Sequence, residues 1–60
     1  MTNLTQSELN SIREVVTGHQ TMACKLSNFA GQVQDPNIKQ MFTKAAQDAR
    51  TAAQNLVEML

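Results

Sequence analysis

The sequence predicts an all-α protein: one antiparallel two-helix hairpin that pairs with a second copy as a four-helix bundle. Three observations predict it. Apolar residues recur at alternating steps of three and four along two segments, the spacing that places side chains on one face of a helix. A single Asp35-Pro36 pair interrupts that pattern between the segments. The chain has only 60 residues, too few to bury a self-sufficient core without disulfides, a metal or a partner.

The first helix opens with a full start signal. Thr5 is a good N-cap, and Glu8 three residues later completes the capping box Thr5-Gln6-Ser7-Glu8. Leu4 before the cap and Leu9 after it supply the matching hydrophobic staple. Glu8 also places negative charge where the helix dipole favours it. From there Leu9, Ile12, Val16, His19, Ala23, Leu26, Ala30 and Val33 form a heptad seam that only His19 interrupts. Val15, Met22 and Phe29, also seven apart, widen the stripe on one flank. A stripe this wide can meet more than one neighbouring helix, as in a bundle.

Pro36 ends the first helix, because it cannot donate to the preceding hydrogen-bond ladder and pushes Asp35 off helical angles. The same pair begins the second, with Asp35 as N-cap and Pro36 at the first helical position. The second seam runs through Ile38, Phe42, Ala45, Ala49, Ala52, Leu56 and Met59. Met41, Ala46, Ala53, Val57 and Leu60 fall on its flanks. The expected organisation is one domain over 1–60, with helix 1 at about 6–33, a turn at 34–35 and helix 2 at about 36–60. So short a connection leaves the helices antiparallel neighbours.

Folding at that turn pairs residues whose numbers sum to about 69. Leu26 then faces Phe42, Ala23 faces Ala46, His19 faces Ala49, Val16 faces Ala53, and Ile12 faces Leu56 and Val57. The alanine-rich middle suits close helix packing. The expected core and dimer seam is Leu9, Ile12, Val16, His19, Met22, Ala23, Leu26, Phe29, Phe42, Ala45, Ala49, Ala52, Leu56 and Met59. His19 is the one polar side chain within it, and a buried imidazole must satisfy both ring nitrogens. Asp48, beside the facing Ala49, is the nearest plausible acceptor. His19 therefore reads either as a satisfied core histidine that fixes register or as a ligand shared between two chains.

No constellation for catalysis is present, and the expectation is a non-enzyme without cofactor. One Cys and one His cannot supply a four-ligand structural zinc site. Di-iron bundles use Glu-x-x-His together with further glutamates. Here Glu14 lies five residues before His19, on another face, and the second helix has no histidine. No metal site is expected; the weak candidates are His19, Asp48 and Glu14, meeting across chains. Cys24 falls one position past Ala23, on an outer face without an activating neighbour. Gly18 lies mid-helix, where it costs about 1 kcal/mol relative to alanine. Met22, Met41 and Met59 read as adaptable packing groups.

Composition narrows the partners. Five basic and five acidic residues balance to zero net charge, which favours self-association over repulsion. The polar surface is built instead from seven Gln, five Asn, six Thr and three Ser. Nucleic acid is disfavoured, since no basic face exists to displace counterions and Phe29 and Phe42 are the only aromatics. A membrane partner is disfavoured by the lack of a Lys/Arg cluster and of a long apolar run. The polar opening MTNLTQSELN shows no signal-peptide pattern, and a lone cysteine suits a reducing compartment. The expected location is cytoplasmic.

Several runs go beyond pattern. Leu4-Thr5-Gln6-Ser7-Glu8-Leu9, Gly18-His19-Gln20, Phe29-Ala30, Gln34-Asp35-Pro36-Asn37-Ile38-Lys39-Gln40-Met41-Phe42, Ala46-Gln47 and Asn55-Leu56 together resemble the small spore coat F-like proteins of endospore-forming bacteria. The resemblance spans essentially the whole chain; its strongest pieces are the opening LTQ-x-EL and the turn QDP-x-x-K. It implies ferritin-like helical hairpins that pair into four-helix bundles. It also implies a structural role in the spore coat of a sporulating cell, with a homodimer and other coat proteins as partners. The family commonly carries an acidic residue after the first-helix histidine and a histidine in the second helix. This chain has Gln20 and Gln47-Asp48-Ala49-Arg50 there, which weakens the alternative of a ferritin-like metal- or redox-binding bundle around His19.

Overall fold

In a computed structural model, which describes residues 4–60, the chain is two α-helices folded back on each other. Helix α1 runs Gln6–Gln32 and helix α2 runs Pro36–Val57; no strand occurs among the described residues. Residues 1–3 of the expected domain lie outside the described residues.

Local chemistry sets each boundary. The Thr5 hydroxyl accepts from the Glu8 backbone N–H at 3.1 Å, and the Thr5 N–H donates to Glu8 Oε1 at 3.0 Å. Two of the donors that a helix start leaves orphaned are thereby satisfied. Leu4 and Leu9 are both half-buried. At the other end Val33 is already extended, with its N–H donating to the Phe29 carbonyl at 3.1 Å. Asp35 then caps α2 with one carboxylate oxygen, accepting from Asn37 N–H at 2.8 Å and Ile38 N–H at 3.1 Å. Pro36 occupies the first turn, where its missing N–H costs nothing.

Helix α2 ends at Val57 rather than continuing to residue 60. Met59 and Leu60 donate to carbonyls three residues back, Leu56 and Val57, at 3.0 Å each. This is the tightened turn that satisfies terminal carbonyls when no cap is present. No basic residue lies in the last turn, and Glu58 places a negative charge where the dipole is least favourable to it.

The interface between the helices is narrow. Its buried residues are Val16, Ala23 and Ala30 on α1 and Ala46 and Ala53 on α2. Ala23 and Ala46, which the fold pairs face to face, are each 1% exposed. The heptad reading places Ala46 and Ala53 on the flank of the second seam; the structure puts them at its centre. The reason is steric, since alanines on the contact line let the backbones approach closely. Larger residues such as Ile38 and Met59, which the same reading places on the seam, remain exposed.

Candidate functional site: an uncovered apolar face

Helical geometry turns this narrow interface into a two-sided object. Val15, Met22 and Phe29 each precede a buried residue of α1 by one position. They therefore lie about 100° around the helix from the line facing α2. Ile12, His19 and Leu26, all half-buried, fall between. On α2, Ile38, Ala45 and Ala52 are displaced from Ala46 and Ala53 in the same sense. Because the helices run in opposite directions, both displacements emerge on one side of the hairpin.

Two cross-helix contacts fix the sidedness. Phe29 and Phe42 meet with ring centroids 6.2 Å apart and planes tilted by 44°, a favourable aromatic arrangement. Ser27 and Arg50 belong to the other side of each contact line, and there Arg50 Nη2 donates to Ser27 Oγ at 2.9 Å. One broad side is thus apolar, and the other carries polar chemistry. On the apolar side Met22 and Phe29 are each 51% exposed. Met41, further round α2, is exposed at 69%.

His19 sits inside that apolar side. Its Nδ1 lies 2.9 Å from the Val15 carbonyl. A carbonyl can only accept, so Nδ1 is the donor in this hydrogen bond. Val15, Gly18, His19 and Met22 line an open groove of about 370 Å³. A Cβ at Gly18 would meet nothing within 4 Å. This glycine is therefore not required for the approach of α1 to α2.

The candidate ligands are not gathered within one chain. Asp48, proposed above as an acceptor for His19, points outward and pairs with Lys44 at 3.3 Å, both groups well exposed. The cause is spacing: Asp48 lies two residues past Ala46, on the far side of α2, and four past Lys44, directly above it. Glu14 is likewise exposed. Among the described residues no three His, Cys, Asp or Glu side chains come together as a metal-binding group. Cys24 is an exposed free thiol.

The clearest electrostatic shift lies at the helix start. The Thr5 backbone N–H, and secondarily its hydroxyl, hold the Glu8 carboxyl below its ordinary value of 4.5. Hydrogen bonds to the ionised form do this by stabilising the charge. No described helix is long and apolar enough to cross a membrane. Comparison with protein families, with curated proteins and with solved structures finds no match to this chain. The heptad seam sets Ala46 and Ala53 on a flank, although pairing about the turn places them opposite Ala23 and Val16, and the structure buries both.

Proposed function

We propose that this chain is a non-enzymatic structural protein that self-associates, its hairpins pairing through the apolar side into a four-helix bundle. The observation that carries this reading is the uncovered apolar side of a molecule only one helix thick. The backbone measures 46 × 16 × 9 Å, with a radius of gyration of 14.2 Å. A compact globule of this length would have about 10 Å. Stable domains bury a hydrophobic core between at least two layers, and a hairpin supplies one.

The surface area points the same way. One chain of 6.6 kDa exposes 4676 Å². Two such chains merged into a compact body would expose about 6,400 Å² by the usual mass scaling. The difference, about 2,900 Å² in total, falls within the range of obligate homodimer interfaces. Zero net charge adds no repulsion to oppose that contact.

The LTQ-x-EL opening and the QDP-x-x-K turn support the spore coat type within this reading. In the structure these segments are the two capping sites that define the hairpin. Sedimentation equilibrium tests the assembly: the expected mass is twice that of the chain at micromolar concentration. A folded monomer there overturns the proposal. Fractionation of sporulating cells tests the location, with recovery in the coat layer expected.

A further inference from the structure

We propose that Gly18 marks the place where a helix of a second copy lies closest against α1, its missing side chain keeping open the recess into which that helix seats. This rests on the homodimer reading above and names the point of contact.

A glycine in the middle of a helix calls for a cause. Glycine is the poorest helix former apart from proline, and Gly18 lies well inside α1, Gln6–Gln32. Backbone conformation is not the cause, since no glycine among the described residues has a positive φ. Contact within the chain is not the cause either, since a Cβ at Gly18 would meet nothing within 4 Å. What the missing side chain provides is open space on the outside of the hairpin.

That space has a definite direction. With Val15, His19 and Met22, Gly18 lines the open groove of about 370 Å³. Val15 and Met22 lie on a line about 100° around α1 from the one that faces α2, and Gly18 and His19 fall on either side of it. A helix packed in a two-by-two arrangement meets its two neighbours in directions about 90° apart. Helix α2 occupies one of these directions, and the groove opens in the other. The observed contact follows the same rule of size. Helices α1 and α2 pack with Ala23 and Ala46, each 1% exposed, on the line between them, because small side chains let backbones approach. Gly18 obstructs a second helix less still.

The lining selects the occupant. No charged side chain lines the groove, so a charged peptide or a lipid headgroup finds no partner there. The same side carries the exposed side chains of Met22 and Phe29. One surface thus holds both a recess and projections, the combination that an isologous contact between identical chains requires. Met22 adapts its shape to what it meets. The area of about 2,900 Å² that two chains would bury calls for a contact running along a helix, not a single side chain in a hole.

Sedimentation equilibrium on the full chain tests this with Gly18→Leu, Gly18→Ala and, as a control, Gly31→Leu. Gly31 also has nothing within 4 Å of a Cβ, but it follows buried Ala30 and so lies on the polar side. Gly18→Leu is expected to raise the dissociation constant by at least about tenfold by filling the recess. Gly31→Leu should change it by less than about threefold, and Gly18→Ala should raise it by about threefold or more, since close-packed contacts feel even one added carbon. Circular dichroism at concentrations where the chains are separate should show helix content in both Gly18 variants equal to or above that of the native chain. Weaker pairing with undiminished helix content is the signature of a blocked contact. A Gly18→Leu dimer as tight as the native one overturns the proposal and leaves the homodimer standing through another contact. Equal weakening by Gly31→Leu also overturns it. If Gly18→Leu loses helix content, Gly18→Ala decides, and an unchanged or tighter dimer overturns the proposal. A native chain that is monomeric throughout overturns the proposal together with the homodimer.

Discussion

Single residues at the helix starts carry more than their size suggests. Thr5 and Asp35 each place a side-chain oxygen on backbone N–H groups that no other protein atom satisfies. Replacing either with alanine is expected to cost about 1 kcal/mol, seen as a lower urea midpoint at unchanged slope. Glu8 gives a pH signature at the same end. Its carboxyl is held below 4.5 by Thr5, so the folded state binds fewer protons there than the unfolded chain. The contribution is present above the ordinary glutamate value and is lost as pH falls through the depressed one. A series of urea midpoints at decreasing pH below 4.5 should fall more steeply for the native protein than for Glu8→Gln. The Lys44–Asp48 pair is open to solvent on both sides, and removing it should change stability little.

At the level of the helix, alanine decides the geometry. Ala23 and Ala46, each 1% exposed, are the most deeply buried of the core residues described. A larger side chain there has nowhere to go without separating the helices. Ala46→Leu is expected to destabilise by about 1–3 kcal/mol through overpacking, even though leucine is a good helix former. The same change at exposed Thr51 should be close to neutral. Comparing the two melting curves separates packing from propensity. Both helix identities and the turn were legible in the sequence, because caps, proline and heptad spacing act locally. The end of α2 was not, because fraying there reflects the balance of terminal carbonyls and Glu58 with the dipole. The contact line was legible from pairing about the turn, but not from the heptad spacing. The spacing of apolar residues defines a stripe about two positions wide, and which edge of it faces the neighbouring helix depends on which side chains are small.

For the whole molecule, the governing fact is that one helical layer cannot enclose a core. Among the described residues the buried ones are a valine and four alanines, while Met22, Phe29 and Met41 stay exposed on the apolar side. Met22 and Phe29 stand at the centre of that side, so Met22→Gln combined with Phe29→Gln should weaken pairing by at least tenfold, read by sedimentation. Each substitution removes an apolar side chain of the kind whose burial is worth about 1.5–3 kcal/mol. The same pair of changes should leave the Ala23–Ala46 contact untouched. A variant that dimerises as tightly as the native chain would place the partner elsewhere.

The sequence by itself determined that two helices form, where they begin, and that they must double back. Each of those outcomes depends on neighbours within a turn or two along the chain. Only the tertiary structure decided the sidedness. It put alanines on the contact line and the large apolar groups with His19 on one broad side. It also left Asp48 on the outer surface with Lys44, and Arg50 with Ser27 on the polar side. The physical reason is that close approach of two backbones selects the smallest side chains, and this choice rotates every other residue on both helices into its final direction.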